Sequence, residues 1–336
     1  MTDPLNTDVS LTAQVKENGL IISGKSRALS ALDRLCGNAL DLVNPYLEKS
    51  IEKRRATKDM EVAAILSLSR ATSQLIESDQ LLLERAAQKQ VNKLLREQHN
   101  RDEVARAAYD YLKVEPWFES DTDPGEINPD WMNRFEAHAE NASTVEMQHL
   151  WGKILAGEIM HPGDFSLSTL RTVSEIDHVT ALLFQKYASI CINAKSLPQK
   201  NAESSEFNDL LALQDAGLIT EVGGFWQDEI PLAEKGVLRY PIEAPDPTQS
   251  YLVIAELRSA ESQKCGIPIA MLTRQGSELA RIIPKDAYAA AIRLAAAIDD
   301  QCKSISVVRG QIHSNGRFTT LAQAEVIKAA PPPPAA

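Results

Sequence analysis

Apolar residues first recur with a helical period from Leu29, with Leu32, Leu35, Cys36, Ala39, Leu40, Val43 and Leu47 three and four apart. This spacing predicts an amphipathic helix, bent or divided at Pro45, after a polar, unpatterned and loosely held start over residues 1–24. Between Tyr46 and Glu115 there is neither glycine nor proline. A single helix of that length would run roughly 100 Å at about 1.5 Å per residue, so two or three helices are expected instead. A coiled-coil seam through Ile65, Leu68, Thr72 and Leu75 next demands Asp79 and later Lys89 in its core, whereas the wider stripe Leu83, Ala87, Val91 and Leu94 suits a bundle. "NRDE" offers Asn100 as an N-cap with Glu103 three residues on, which predicts a fresh helix ending near Lys113.

"EPWFESDTDPGEINPD" then breaks the pattern with proline, glycine and acidic residues and marks a boundary. Ser143 and Glu146 have capping-box spacing for a helix that "HPG" at 161–163 closes. Another helix is expected from about Ser166 and a third, capped by Ser174, through Tyr187. In "LWGKILAGEIM" the inward face is Leu150, Trp151, Ile154 and Leu155, and Glu158 falls seven residues after Trp151 on that same face. A carboxylate there suits the unpaired N–H groups at the start of the next helix, around Phe165 to Ser168, and Trp151 needs an acceptor that "DFSLST" can supply.

From Phe207 the period changes. A short helix ends in "DAGLI" at Gly217, strand-like pieces "LITEV", "YLVIAEL" and "IPIAML" follow, helices return at about 275–282 and 285–301, and "SISVVRGQIHSNGRFTTL" reads as a hairpin turning at Asn315-Gly316. The fold class expected is α+β, mostly helical: an N-terminal helical bundle or stalk (25–118), a linker (119–129), a central helical domain (130–200), and a winged-helix-like α+β module with a small antiparallel sheet (201–322). An Ala/Pro-rich flexible tail (323–336) closes the chain.

Composition narrows the function classes. Aromatic residues make up only 5% of the chain, which leans towards helix, and the four cysteines, Cys36, Cys191, Cys265 and Cys302, stand far apart without metal-type spacing, as expected of reduced thiols. No run of eighteen apolar residues exists and the start lacks signal-peptide character, so a cytoplasmic protein without a transmembrane segment is expected. The net charge of -11 is concentrated beyond residue 118, which disfavours a nucleic-acid grip by the C-terminal half.

Several chemistries have candidate residues. Glu146-x-x-His149 and Glu175-x-x-His178 each set a carboxylate and an imidazole one helical turn apart, and with Glu158 as an extra ligand they sketch a di-metal centre; duller roles are a capping box for Glu146 and a first-turn dipole contact for Glu175. No nucleophile elbow, Walker loop or Rossmann glycine pattern is present, so no catalytic residue and no cofactor are assigned. Lys53, Arg54, Arg55 and Lys58 form the one dense basic cluster, read as a solvated helix face before a phosphate grip. "LLALQDAGLITEVGG" with "LAEKG" has the helix-then-wing order of winged-helix modules. Residues 28–47 could lie on a membrane surface, but their polar face mixes signs, so packing within a bundle is preferred.

"PDWMNRF", "STVEMQHLWGKILAGEI" and "PGDFSLSTL" together resemble a bacterial family known as a domain of unknown function, with "QKQVNKLL" and "LTRQGSEL" similar at the flanks, over about residues 20 to 300. The matching positions are Asp130, Trp131, Arg134, Phe135, Met147, Gln148, Trp151, Leu155, Gly157, Glu158, Pro162, Gly163, Phe165, Ser166 and Leu170. The layout is also similar to the abortive-infection Abi-alpha group, implicated in bacterial phage defence. The resemblance implies a shared fold and brings no catalytic residue. The function expected is a non-enzymatic interaction or scaffold protein, a homo-oligomer or one with a protein partner, with defence or stress response as an extension; a metal-dependent enzyme and a nucleic-acid-binding regulator are the alternatives.

Overall fold

In the computed structural model, which describes residues 24–36, 80–115, 125–193, 195–199, 204–223 and 226–328, the chain forms two compact units that divide between Phe165 and Ser166. The division falls inside the central stretch 130–200. No helix among the described residues is long and apolar enough to cross a membrane.

The first unit is helical: α1 (Gly24–Cys36), α2 (Gln80–Leu112), α3 (Pro129–Ala139) and α4 (Val145–Met160). With no glycine or proline to stop it, α2 runs 33 residues without a break. Asn100 therefore does not start a helix. Its buried side chain donates to the carbonyl of Glu140 at 2.8 Å, and Glu103 takes Arg106 instead of a cap amide. Val104, Ala105, Ala108 and Leu112 make the buried stripe of α2, while Leu94, expected in that stripe, is exposed. Ala28, Leu32 and Leu35 of α1 are buried against α2 and α4, so the apolar face of the described part of residues 28–47 is covered within the unit. Arg34 on its polar side bonds Glu136 and Asn133 of α3. Pro45 and residues 47–79 lie outside the described residues.

Helix α4 crosses α2 closely because Gly152 has no side chain: a Cβ there would stand 2.6 Å from Ala107 Cβ and 2.9 Å from the Ala108 nitrogen. The helix starts one residue later than expected, with Thr144 and not Ser143 as N-cap, its hydroxyl accepting from Met147 N at 3.4 Å. His161 ends it, as the "HPG" signal requires.

The second unit is α+β. It opens with α5 (Leu167–Glu175) and α6 (His178–Ala188), then β1 (Ser196–Pro198), α7 (Ser204–Asp215), β2 (Ile219–Thr220), β3 (Gln227–Pro231), β4 (Val237–Ile242), β5 (Ser250–Leu257) and β6 (Lys264–Leu272). After α8 (Arg274–Ala280) and α9 (Ala287–Ile298) come β7 (Cys302–Ile312), β8 (Phe318–Thr320) and β9 (Glu325–Lys328). Ser174 does not cap α6. It lies in the last turn of α5 with its hydroxyl on Arg171 O, and Asp177 caps α6 by accepting from Thr180 N at 2.7 Å, which holds the Asp177 carboxyl below the usual aspartate range.

Among the described residues all strand pairings are antiparallel. In one sheet β6 pairs with β1, β2 and β3; in the other the order is β4-β5-β7-β8, with β9 also on β7. The strand expected at "LITEV" shrinks to two residues because Glu221 turns to φ +63° and the Val222 amide goes to Gln214 Oε1. The expected hairpin does form, with His313 N bonded to Arg317 O and Gly316 at φ +75°. Glu325–Lys328, at the head of the supposed tail, is strand β9. Helix α9 packs on both sheets, and Ala290, Ala291, Leu294, Ala295 and Ile298 share a core with Val253, Ala255, Ile267, Ile269, Ile305 and Val307. Its alanines allow that close approach.

Candidate functional site

The residues of the "PDWMNRF", "LWGKILAGE" and "PGDF" stretches converge in the first unit. Asn128 caps α3 by accepting from Asp130 N at 2.8 Å, with Pro129 pre-set for the first turn. That cap orients α3 so that Trp131, Phe135 and Ala139 are buried while Asp130 and Arg134 remain exposed. Trp131 stacks on Phe135 at 5.2 Å between ring centroids, Phe135 meets Trp151 edge-on at 5.5 Å, and His138 stacks on Trp151 at 5.7 Å. Burial, and then the charge of Arg134, push the His138 pKa below its ordinary value.

Glu158 is 1% exposed and points across the turn that follows α4. Its Oε1 accepts from Gly163 N at 2.7 Å and its Oε2 from Phe165 N at 3.1 Å. The turn fits this carboxylate because Pro162 and Gly163 occupy its two central positions, Asp164 N bonds back to His161 O, and Gly163 takes φ +94°, which only glycine adopts without strain. The Phe165 carbonyl accepts from an indole N–H at 2.7 Å, but the donor is Trp131 and not Trp151. Gln148, also buried, donates to Ala142 O at 3.0 Å. These bonds of Trp131, Gln148 and Glu158 all run to the backbone.

A second buried carboxylate, Glu278 on α8, lies outside every sequence motif with candidate chemistry. Within the second unit it accepts at Oε2 from Ser166 N at 2.7 Å, from Ser166 Oγ at 2.9 Å and from Thr169 Oγ1, and at Oε1 from Arg274 at 2.8 Å. Burial works to raise its pKa, and these bonds outweigh burial, so the pKa lies below the ordinary glutamate value. Ser166, the N-cap of α5, thus has its amide satisfied by Glu278. The only sequence signal was the glutamate inside "LTRQGSEL", flanked by residues of an apolar helix face.

The metal candidates do not come together as their spacing suggested. Glu146 and His149 are exposed on α4, while Glu175 ends α5, bonded by Arg171, and His178 opens α6. Glu175 and His178 are therefore not one helical turn apart, because Ile176 and Asp177 are extended between two helices. Among the described residues no three His, Cys, Asp or Glu side chains gather as a metal site. Lys53, Arg54, Arg55 and Lys58 lie outside the described residues. The four cysteines are buried and form no disulfide, and burial pushes the Cys191 and Cys302 thiols up to about 12.

Neither the curated proteins nor the solved structures contain a match to this chain. The model of the family described as Protein of unknown function (DUF2806) matches residues 84–290, from the first turns of the first-unit helix α2 to the start of α9. That match covers more than half of the chain, and the protein belongs to this family.

Proposed function

We propose that the protein is a non-enzymatic, oligomeric interaction protein whose helical front makes the contact, with a second copy or with a protein partner. The observation that carries this reading is on α2. Between Arg85 and His99 only Val91 is buried, and the adjacent Leu94 and Leu95 are 44% and 39% exposed. Fully covering an exposed leucine side chain contributes on the order of 1.5–3 kcal/mol, and since less than half of each remains to be covered, the pair together favours association by about the worth of one such side chain. The engagement of Glu158 by two backbone amides, and of Glu278 by the Ser166 amide and the side chains of Ser166, Thr169 and Arg274, supports the non-enzymatic part, since both carboxylates have structural work.

Within this reading, the described helices α1 and α2 belong to the bundle expected over residues 25–118 and the stretch 130–200 holds the signature, while residues 119–124 of the linker expected over 119–129 lie outside the described residues and Pro129 already belongs to α3. Residues 201–322 form a winged-helix-like module, supported by the order of helix α7 followed by two short strands and opposed by the pairing of both strands with β6. A part in phage defence or stress response, suggested by the resemblance to the Abi-alpha layout, and a cytoplasmic location, suggested by the lack of an apolar span or signal-like start in the sequence, extend the proposal. Sedimentation velocity of the full chain at micromolar concentration, and native mass spectrometry after gentle purification, test it. The expected result is an oligomer or a retained protein partner, and a Leu94→Asp, Leu95→Asp variant that loses the contact while keeping its helix content. A clean monomer that retains nothing sinks the reading.

A further inference from the structure

The polar side of α2 carries a second feature that the apolar contact does not use. Arg85, Lys89, Lys93 and Arg96 are exposed, and no acidic residue stands between the first and the last of them. At about 100° and about 1.5 Å per residue, the four lie within an arc of roughly 80° and along about 16 Å of the helix. Gln88 and Asn92 flank them, bonded to each other at 3.0 Å, and the six side chains line a concavity of about 440 Å³. Among the described residues, no acidic side chain is bonded to Arg85, Lys89 or Arg96, whereas Lys93 stands 3.5 Å from Glu97.

We infer that this stripe is a docking site for the phosphate backbone of a nucleic acid. The lining supplies cations and amide donors, and no apolar residue is among the six side chains. That is the side-chain set that meets phosphate and sugar oxygens without reading sequence. A protein partner would require an apolar anchor at the centre of the contact, and the stripe has none. A membrane surface would require leucines beside the charges, but Leu94 and Leu95 lie roughly 120–140° around the helix from the centre of the stripe. The repeat at intervals of four, four and three residues holds the positive charges apart in a row, as a linear polyanion presents its negative ones. The net charge of -11 works against binding over the whole surface and confines it to this row.

Fluorescence anisotropy of the full chain with mixed-sequence DNA and RNA, single-stranded and duplex, tests this between about 50 and 200 mM salt. Binding is expected to be independent of sequence, with log K falling against log salt with a slope of about -3 to -4 on duplex DNA, about 0.9 per phosphate. Lys89→Gln with Lys93→Gln should reduce that slope by about 2 and weaken all sequences alike. Arg171→Gln with Lys264→Gln, the same charge change at exposed positions of the second unit, should leave it unchanged. Circular dichroism reports that the helix is intact, and the oligomeric state of the lysine variant separates this site from the leucine contact. No salt-sensitive binding, an unchanged slope in the lysine variant, or retention only on phosphatidylserine vesicles or polyglutamate overturns the inference.

Discussion

Glu158 holds two backbone N–H groups at once, and the cost of losing it is set by what is left behind. In Glu158→Ala the amides of Gly163 and Phe165 lose their acceptor in a site the side chain filled to 1% exposure. A buried donor without a partner costs about 1–3 kcal/mol, so urea unfolding should show a loss of at least that size, with Glu158→Gln intermediate because one amide oxygen remains to accept. Glu278 adds a dependence on pH. Its folded pKa lies below the ordinary value of 4.5, so it contributes stability that is fully present above that value and is lost as pH falls through the folded pKa. His138 acts in a higher window. Its pKa is depressed below 6.5 by burial and by Arg134, the unfolded chain takes up the proton first, and stability falls as pH drops from about 6.5. Urea midpoints measured from neutral pH downward should show both losses, and Glu278→Gln should remove the lower one; a midpoint flat to below 4.5 would contradict the assignment. The carboxylate of Glu158 was legible in the chain because its helical spacing from Trp151 put it on the buried face. Trp131 as the bonding indole was not, since two tryptophans twenty residues apart satisfy the same demand and only packing chooses between them.

At the scale of elements, the crossing of α2 and α4 turns on Gly152. On an isolated helix, Gly→Ala stabilises by about 1 kcal/mol. Here the added methyl meets Ala107 Cβ at 2.6 Å and the Ala108 nitrogen at 2.9 Å, so the sign reverses. Gly152→Ala is expected to cost about 1–3 kcal/mol through overpacking, and Ala107→Gly in the same chain should recover part of it; thermal unfolding of the two single variants and the double variant measures this. Helix boundaries were read well where a strong stop exists, as at "HPG", and poorly where several polar residues compete for a cap. Asn100, Ser143 and Ser174 were each assigned a cap on spacing, yet Asn100 serves a neighbouring helix, Thr144 replaces Ser143, and Asp177 replaces Ser174. Capping is decided by which residue leaves the helical backbone, and that follows from how the preceding segment packs.

For the molecule as a whole, the second unit has its strongest order where α9 lies against both sheets. The slowest hydrogen exchange should be found for amides of β5, β6, β7 and α9, whose side chains share the buried core, and the fastest among structured amides in β8 and β9, which are largely exposed. Comparable exchange in β9 and β5 would show that the core does not organise this unit. Leu294→Ala, at full burial in α9, should cost about 2–5 kcal/mol and raise exchange throughout both sheets. The chain by itself determined the α+β class, the helices around the signature, the strands at "YLVIAEL" and "IPIAML", and the buried place of Glu158, because each rests on a period or a stop signal within a few residues. Only the tertiary structure decided that β2 and β3 both pair with β6, that α2 runs unbroken past Asn100, that Trp131 supplies the indole bond, and that Glu278 holds the N-cap residue Ser166, more than a hundred residues earlier in the chain. Those pairings join residues whose partners lie far away in sequence, and no local pattern distinguishes the partner that packing selects.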